Sequence, residues 1–305
     1  KLFKENKKFS PLEWMSQDIT HREIASIYRS DLTLVISKYE MKLLKKWGGV
    51  SSKLLFFLPF LAKKTAIKKN TSHPAFKERE HFMFVGNGKH QPNVDGLIWL
   101  ITEIWPIIKK EIPEAELHIY GPYMPQIVIN LFNSKNGIYG KGWTDNLVKT
   151  MQLYRVNLIP LTYGAGVKGK LIEGLENKIP LISTSIGAEG FKGICYLKSY
   201  IEDKPNAFAS KAVNLYTIED AWEKALSKGD KMLKKQKSET LWDLSLEFRL
   251  SQLRKDIEEY RTYNIIGRIL SRQEYQSNKY MSKWIEVKNQ FLEVKNKTIE
   301  PTSES

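Results

Sequence analysis

The sequence predicts an α/β fold with a Rossmann-like, doubly wound parallel sheet, and three observations support this prediction. Short apolar runs typical of buried strands occur at 81–87, 116–121 and 155–161. A longer run at 92–113 repeats apolar residues at the three- and four-residue spacing of a helix. The third observation is their alternation, because strands that alternate with helices form parallel sheets that bind ligands at the carboxyl ends of the strands.

The 305 residues divide into five predicted segments. Residues 1–61 hold helices and strands too few to complete a sheet, which predicts a partial N-terminal α/β domain. Residues 62–80 are polar and aperiodic and contain Pro74, as linkers do. The remaining segments are the Rossmann-like domain at 81–200, a C-terminal helical extension at 201–295 and a disordered polar tail at 296–305.

Helices and strands alternate in the N-terminal segment. Helices are predicted at 20–29 and 38–47, on either side of a strand at 32–37, and Gly48 ends the second helix. The apolar run at 53–60 predicts one more strand. These elements are of the kind found in α/β domains.

In the Rossmann-like domain, each element follows from a local pattern. The run at 92–113 predicts one continuous helix, and the run at 137–143 predicts a short strand. Thr144 precedes a helical segment that reaches Tyr154, so Thr144 is the expected N-cap of that helix. After Tyr200 the strand patterns fade, and the rest of the chain is predicted to be helical.

Positive charge is unevenly distributed along the chain. The formal net charge is +14, and residues 1–70 hold 15 Lys and Arg against 6 Asp and Glu. Peripheral contact with an anionic membrane surface would explain this bias, and so would a generally lysine-rich composition. No nucleic-acid-binding motif accompanies the lysines, so nucleic acid is not an expected partner.

Two features of the sequence bear on location. The longest apolar run, at 54–62, contains Pro59 and is too short to span a bilayer. Cys195 is the single cysteine, which excludes an internal disulfide and suits a reducing compartment. We therefore expect a cytoplasmic protein, with any membrane association on the cytosolic side. The chain begins at KLFKENKKFS without Met, which indicates a start within a longer reading frame.

Residues 160–191 carry most of the functional inference, because they combine a strand, a glycine-rich basic loop, a helix and a second strand. Gly164 and Gly166 leave the backbone open to close approach by an anion. The helix that follows offers unpaired N–H groups and the positive end of its dipole. Lys168 and Lys170 add positive charge at the same place, so the segment predicts an anion-binding site.

The chemistry of this loop points to a diphosphate held without a metal. Residues 164–170 match G-x-x-x-x-G-K, the phosphate loop of nucleotide triphosphatases, but Leu171 stands where that motif needs Ser or Thr to hold Mg²⁺. We therefore reject a triphosphatase and expect no metal site. Glu173, one turn into the helix, has the wrong sign for a phosphate but suits sugar hydroxyls.

These segments resemble the GT-B-fold glycosyltransferases of the family 4 type across residues 81–191. FVGN with PNVDGLIWLITEIWP is similar to the first strand and helix of the family's donor-binding domain, and LHIYG is similar to its second strand. KGWTDNL resembles the loop that meets the base, and PLTYGAGVKGKLIEGLENKIPLISTSIGAEGF resembles the donor signature. The resemblance implies transfer of a sugar from a nucleotide-sugar donor to an unknown acceptor, with retained anomeric configuration and without metal or cofactor.

The resemblance also implies roles for individual residues. Lys168 and Lys170 would hold the diphosphate and act as the catalytic residues by stabilising the leaving group. Glu173 would meet the ribose hydroxyls, and Trp143 either stacks near the base or only packs beside a strand. A turn at 187–189 is a weaker candidate for the same pocket. The full set of expected donor-binding residues is Gly86, Asn87, Trp143, Gly164, Ala165, Gly166, Lys168, Lys170 and Glu173.

Two departures from the family pattern leave alternatives open. Many members carry a glutamate eight residues before the ribose-binding one, and Ala165 occupies that position here. Residues 1–60 resemble only the last part of the family's acceptor domain. A catalytically inactive relative that binds a nucleotide or a partner is therefore the main alternative, and a nucleotide-sugar epimerase on the same fold is another.

Overall fold

The computed structural model describes most of the chain, which forms two compact units. The described residues are 10–58, 73–164, 166–191, 193–237 and 241–299. Most of the predicted linker at 62–80, the loop residue Ala165 and positions 300–305 of the predicted tail lie outside this set. The larger unit contains Phe57–Trp242, and the smaller unit combines Ser10–Val35 and Met41–Phe56 with the chain from Asp243 onward.

The N-terminal elements follow the predicted alternation. They are α1 (Pro11–Met15), α2 (Asp18–Arg29), β1 (Thr33–Val35), α3 (Lys38–Lys46) and β2 (Leu55–Phe57). Strands β1 and β2 pair in a two-stranded sheet. β2 begins later than the strand predicted at 53–60, because Ser52–Leu54 forms a 3₁₀ turn that the Ser51 hydroxyl caps.

A five-stranded parallel sheet organises the larger unit and confirms the predicted fold class. Its strands are β3 (Glu80–Val85), β4 (Leu117–Tyr120), β5 (Ile138–Gly142), β6 (Tyr154–Ile159) and β7 (Leu181–Ser183). Their order in the sheet is β5-β4-β3-β6-β7, and every neighbouring pair is parallel.

The strand order reverses direction at β3. The chain first builds outward through β4 and β5, then crosses back so that β6 lies on the other side of β3. The loops that leave β3 and β6 therefore diverge and open a crevice at the carboxyl ends of these two strands. In open α/β sheets, ligands bind in such a crevice.

Helices accompany these strands along the chain. They are α4 (Gln91–Trp99), α5 (Trp105–Glu111), α6 (Gln126–Ile129), α7 (Leu147–Met151), α8 (Gly169–Glu176), α9 (Pro205–Thr217), α10 (Glu219–Lys237), α11 (Leu241–Lys255), α12 (Ile257–Tyr263) and α13 (Ile265–Ile299). Among the described helices, none combines the length and apolar character needed to cross a bilayer.

Both faces of the parallel sheet are buried, as a doubly wound sheet requires. Phe82 and Phe84 point to one face, where they pack in one cluster with residues of α4, α5 and α9. Met83, which alternates with them, lies on the other face with Met151 of α7. Successive side chains of a strand point to opposite faces of the sheet, so apolar residues at neighbouring positions of β3 are buried on both faces.

The helix predicted at 92–113 is interrupted. A π-helical turn, Leu100–Ile104, separates α4 from α5. Pro106 explains the interruption, because proline has no N–H to donate and its ring clashes with the carbonyl one turn earlier in a regular helix. The predicted apolar face survives, since Leu97 and Ile108, on either side of the turn, are fully buried.

The helix predicted to begin after Thr144 starts later, and its N-cap was predicted wrongly. Asn146 caps α7 by accepting a hydrogen bond from the Lys149 amide at 3.0 Å. The Thr144 hydroxyl instead lies 2.7 Å from that of Thr150. α7 is also shorter than predicted, because Tyr154 already belongs to β6.

Two predicted segment boundaries do not coincide with the structure. The first, at residue 200, separates helix α9 from the sheet, yet Phe208 and Leu215 of α9 are buried in the same cluster as Phe82 of β3. The second lies at residue 296, where the tail was predicted to begin. Helix α13 continues to Ile299, so positions 296–299 are helical.

Replacing Gly96 by alanine is expected to lower the free energy of unfolding by about 1–3 kcal/mol, because the new methyl group overpacks the interface between α4 and the end of β6. A Cβ atom at Gly96 would lie 2.5 Å from the backbone carbonyl oxygen of Pro160, which has no freedom to move aside. Urea unfolding followed by circular dichroism measures the change.

Gly229→Ala in α10 is the matched control. Its Cβ would meet a Leu175 methyl group at 2.8 Å, and this methyl can rotate away. Alanine favours a helix over glycine by about 1 kcal/mol, so this variant should be neutral or slightly more stable. Equal stability of the two variants would show that α4 is free to shift from β6.

Candidate functional site

Two loops meet at the crevice between β3 and β6. The first leaves β3 after Val85 and leads into α4. The second leaves β6 at Pro160, passes through the glycine-rich segment and leads into α8. The site is built from the first turns of these two helices together with the loops that precede them.

The β3 loop is a compact turn held by asparagines. The carbonyl of Asn87 accepts hydrogen bonds from the His90 amide at 3.1 Å and from Asn93 Nδ2 at 3.0 Å, while its side chain accepts from the Lys89 amide at 2.8 Å. Gly86 is required beneath this turn, since a Cβ there would lie 3.0 Å from the Asn93 side chain. The side chain of Asn93 is thereby fixed with its Oδ1 toward the crevice.

Lys170 joins the two loops. Its Nζ donates a hydrogen bond to Asn93 Oδ1 at 2.7 Å and lies 5.2 Å from the centre of the Phe84 ring. The ammonium group is mostly buried beside this aromatic face. Asn93 Oδ1 is its hydrogen-bond partner among the contacts that the structure describes.

Lys168 holds the glycine-rich loop together. Its Nζ donates to the carbonyls of Gly164 at 3.1 Å and Gly166 at 2.5 Å. The same Nζ lies 3.6 Å from a carboxylate oxygen of Glu189 in the turn after β7. Both glycines have positive φ, which brings their carbonyls to one amine in a backbone conformation that other residues avoid.

Burial lowers the pKa of both lysines. Desolvation lowers the pKa of Lys170 to about 8, although the nearby Glu173 carboxylate favours the charged form. Desolvation also lowers the pKa of Lys168, against the opposing attraction of Glu189. Perturbed pKa values cluster at functional sites, which makes these two lysines candidates for a functional role.

The turn at 187–189 packs directly against the glycine-rich loop. Glu189 pairs with Lys168, and a Cβ added at Gly190 would lie 2.9 Å from Val167. The Gly187 amide donates to the Thr184 hydroxyl at 3.0 Å. This turn therefore stabilises the glycine-rich loop through Glu189 and through the close contact at Gly190.

A second contact between the two loops was not found in the sequence. The Tyr163 hydroxyl donates to Asp95 Oδ2 at 2.5 Å, and Gln91 donates to the other oxygen of the same carboxylate at 2.9 Å. The hydrogen bond to Asp95 and desolvation raise the pKa of Tyr163 to about 12, with desolvation the larger cause. No local pattern in the sequence indicates this contact, because Tyr163 and Asp95 are 68 positions apart.

The structure brings part of the predicted site together. Gly86, Asn87, Gly164, Gly166, Lys168 and Lys170 lie in the two loops or at the start of α8. Glu173 is exposed on α8 and lies near enough to Lys170 to influence its ionisation. Trp143 follows the edge strand β5 and is 72% exposed, and no contact links it to the loops in the described residues.

The chemistry of this arrangement is that of an anion site. Two lysines, the half-buried backbone of the glycine-rich loop and the start of α8 converge, and the N-cap position of α8 has no side-chain capping bond. An open helix N-terminus with adjacent cations binds phosphate groups. Within the described residues, no three His, Cys, Asp or Glu side chains are grouped to hold a metal ion.

The buried amine of Lys170 is expected to make stability rise with pH. Its pKa is about 8 in the folded chain and 10.5 in an unfolded one, so between these values the unfolded state binds the extra proton. Relative to a Lys170→Met variant, the wild-type chain should therefore gain about 2 kcal/mol of unfolding free energy between pH 7 and pH 10. Chemical unfolding at a series of pH values measures this difference.

Lys110→Met, at an exposed position on α5, is the control, and its stability difference should stay constant with pH. All other ionisable groups are shared by the wild type and the variants, so their effect on stability cancels when the two are compared at the same pH. A constant difference for Lys170→Met as well would mean that the amine keeps its proton throughout and is not desolvated.

Comparison with known proteins identifies the domain that contains this site. Residues 79–217 match the profile of the family described as Glycosyl transferases group 1. A similar protein is the uncharacterized 44.6 kDa protein in the cps region of Klebsiella pneumoniae, which is 32% identical over a segment covering 35% of this chain and 30% of that protein.

Solved structures share the fold at low sequence identity. TarM of S. aureus, in complex with Fondaparinux, alpha-GlcNAc-glycerol and UDP, has 14% identity and a TM-score of 0.57 over 75% of this chain and 46% of that one. A glycosyltransferase from Rickettsia africae has 11% identity and a TM-score of 0.55 over 76% and 67%. A trehalose-6-phosphate structure from E. coli, bound with UDP-2-fluoro glucose, has 11% identity and a TM-score of 0.59 over 79% and 65%.

The chain spans less than half the length of TarM and less than a third of the Klebsiella protein. The matched segment holds all five strands of the parallel sheet, both loops of the crevice and helices α4 to α9. Residues 79–217 therefore match the glycosyl transferases group 1 family, and the fold of the chain is similar to that of the GT-B glycosyltransferases.

Proposed function

We propose that this chain works as a glycosyltransferase that moves a sugar from a nucleotide-sugar donor to an acceptor. The observation that carries the proposal is the hydrogen bond between Lys170 and Asn93, which sets a mostly buried ammonium group at the switch point of the sheet. A diphosphate suits this position, because the anion replaces the stabilisation that water no longer gives to the charge.

The diphosphate is proposed to lie over the start of α8. Lys170 would contact it directly, and Lys168 would contribute its charge from within the loop that it ties together. Gly164 and Gly166 would let the phosphates approach the backbone. The helix dipole adds a partial positive charge at the same end.

The remaining donor contacts follow from position on the same elements. Glu173 is exposed one turn into α8, where its carboxylate is proposed to accept hydrogen bonds from the ribose hydroxyls. Gly86 and Asn87, in the loop after β3, are proposed to contact the donor from the β3 side of the crevice. Trp143 is proposed to stack on the base, and its exposed ring is available for that contact.

In the proposed reaction, the bond between the anomeric carbon and the diphosphate oxygen breaks, and a bond from the anomeric carbon to an acceptor oxygen forms. The acceptor loses its proton, and the nucleoside diphosphate leaves with the bonding electron pair. Negative charge grows on the leaving phosphate in the transition state, so Lys170 and Lys168 accelerate the step as well as binding the donor. We propose that no metal ion is needed and that the anomeric configuration is retained.

Uridine diphosphate sugars are the first donors to test. UDP accompanies TarM, and a UDP sugar accompanies the E. coli structure. The proposed contacts would select for a diphosphate and a ribose, and a panel of donors identifies the base and the sugar.

A cytoplasmic site of action is part of the proposal. The single cysteine, Cys195, is exposed, which suits a reducing compartment. The proposed donor site consists of charged side chains and glycines and includes no disulfide. Fractionation of cells that express the full-length protein tests the location.

A titration of UDP, GDP and ADP sugars by calorimetry should find one donor that binds. Lys170→Met should weaken its affinity about 10–100-fold, since a hydrogen bond to a charged group contributes about 1.5–3 kcal/mol. Glu173→Gln should weaken it about tenfold by removing a charge-assisted bond to the ribose.

Lys110→Met, on α5 and outside the crevice, should bind as the wild type does. Equal affinity of Lys170→Met and wild type would contradict the assignment of the diphosphate site. Binding without transfer to any acceptor would favour the inactive relative over the enzyme.

Transfer should be unaffected by EDTA, because Lys168 and Lys170 are proposed to take the place of a metal at the leaving group. The product should keep the anomeric configuration of the donor, which proton NMR of the first turnovers reports. Loss of activity on chelation, restored by Mg²⁺, would show that a metal takes part in the step. An inverted product would overturn the proposed stereochemistry.

A further inference from the structure

Helix α13 presents a long surface with no protein against it in the described structure. Its first residues are anchored in the smaller unit, where Gly267 packs closely on the carbonyl of Tyr28. Beyond this point, every residue whose burial is described between positions 271 and 292 is exposed. This exposed helix is long enough to lie along a surface for about 30 Å, at 1.5 Å per residue.

The exposed part of α13 has a continuous apolar stripe. Tyr280, Trp284, Val287 and Phe291 recur at intervals of four, three and four residues, which places them on one side of the helix. They are 67%, 59%, 63% and 70% exposed. Met281, Ile285 and Leu292 widen the stripe and are also exposed.

Such a stripe calls for a covering surface. Isolated helices gain little stability in water, and most helices in proteins are stabilised by packing of an apolar face. Contiguous exposed apolar patches mark sites of interaction with proteins or membranes. The charges beside the stripe decide between these two.

Lys283 lies at one border of the stripe, and Lys288 lies within the widened stripe, beside the Trp284 ring. In a pair formed by two copies of α13, these positions would set lysine against lysine, because neither flank offers an acidic partner. The whole helix, Ile265–Ile299, carries seven lysines and arginines against three glutamates, which is the balance of a surface that meets negative charge.

We propose that α13 is a docking helix for the surface of an anionic lipid bilayer. It lies in the plane of the interface, with the stripe in the boundary between headgroups and acyl chains. Tyrosine and tryptophan favour this boundary, because their rings are apolar and their polar atoms reach water. The lysines extend along the membrane surface to the lipid phosphates while their stems cover the edge of the stripe.

The docking helix is separate from the donor chemistry. α13 lies outside residues 79–217, and none of its residues belongs to the crevice between β3 and β6. Variants of α13 should therefore bind nucleotide sugars as the wild type does. Donor binding and vesicle binding can therefore be measured on the same protein, and each tests one proposal.

The test is sedimentation of the whole chain with vesicles of phosphatidylcholine, alone or mixed with phosphatidylglycerol. We expect binding to the mixed vesicles that weakens as salt is raised, and little binding to pure phosphatidylcholine. Lys283→Glu with Lys288→Glu should weaken binding at least about tenfold, because each basic residue near an anionic surface contributes and here two are reversed. Trp284→Ser with Phe291→Ser should abolish it.

Ile127→Ser is the matched control, since it removes an equally exposed apolar side chain from α6 and should leave vesicle binding unchanged. Circular dichroism confirms that the variants keep their helices. Failure of the wild type to bind phosphatidylglycerol vesicles overturns the proposal. Light scattering that shows a dimer, which Trp284→Ser converts to a monomer, overturns it in favour of a second copy of the chain.

Discussion

The hydrogen bond between Lys170 and Asn93 is the contact on which the candidate site depends. It joins residues 77 positions apart, one at the start of α8 and one at the start of α4. They meet only because the strand order reverses at β3 and sets the carboxyl ends of β3 and β6 side by side. A lysine ammonium group loses much of its hydration here, and Asn93 Oδ1 with the Phe84 ring returns only part of that stabilisation. Asn93, the Phe84 ring and the nearby Glu173 carboxylate compensate this cation only in part, which is why we propose an anion as its ligand.

The charge of the second lysine, Lys168, is better compensated by protein groups than that of Lys170. This difference suggests separate roles for the two lysines. Lys168 has two backbone carbonyls and a carboxylate around its amine, so its charge is well compensated inside the loop. Its main effect in the unliganded chain is to fix the glycine-rich segment in one shape. A loop of glycines would otherwise lose much conformational entropy on binding a ligand, and a loop that is already ordered loses less. We therefore propose that Lys168 orders the backbone and adds its charge from within the loop, while Lys170 contacts the anion directly.

Much of the sheet domain could be predicted from local patterns, because buried strands and amphipathic helices leave clear periodicities in the sequence. The glycine-rich loop before α8 was recognisable for the same reason, since its signal lies within seven residues, from Gly164 to Lys170. Contacts across the fold were not predictable in this way. The pairing of Tyr163 with Asp95 depends on which strands become neighbours, and no local pattern states that.

The π-helical turn before Pro106 was not predicted either, because the apolar spacing continues through it although the α-helical backbone is interrupted. At α7, two polar residues competed for the cap, and only the geometry of the turn selected Asn146 over Thr144.

For helix α13, the sequence predicts the helix but not whether its apolar stripe is buried or exposed. Its periodicity is that of an ordinary packed helix, and periodicity alone would assign its apolar stripe to a core. Exposure of the stripe in the structure removes that interpretation, and the charges that border it then carry the remaining information. A stripe that pairs with protein is usually bordered by residues of both signs, which fix the partner and its orientation. Here basic residues of α13 outnumber acidic ones by seven to three, so a surface of uniform negative charge is complementary to the helix in either direction. Such a surface is satisfied by lipid headgroups, which present the same charge everywhere and require no register.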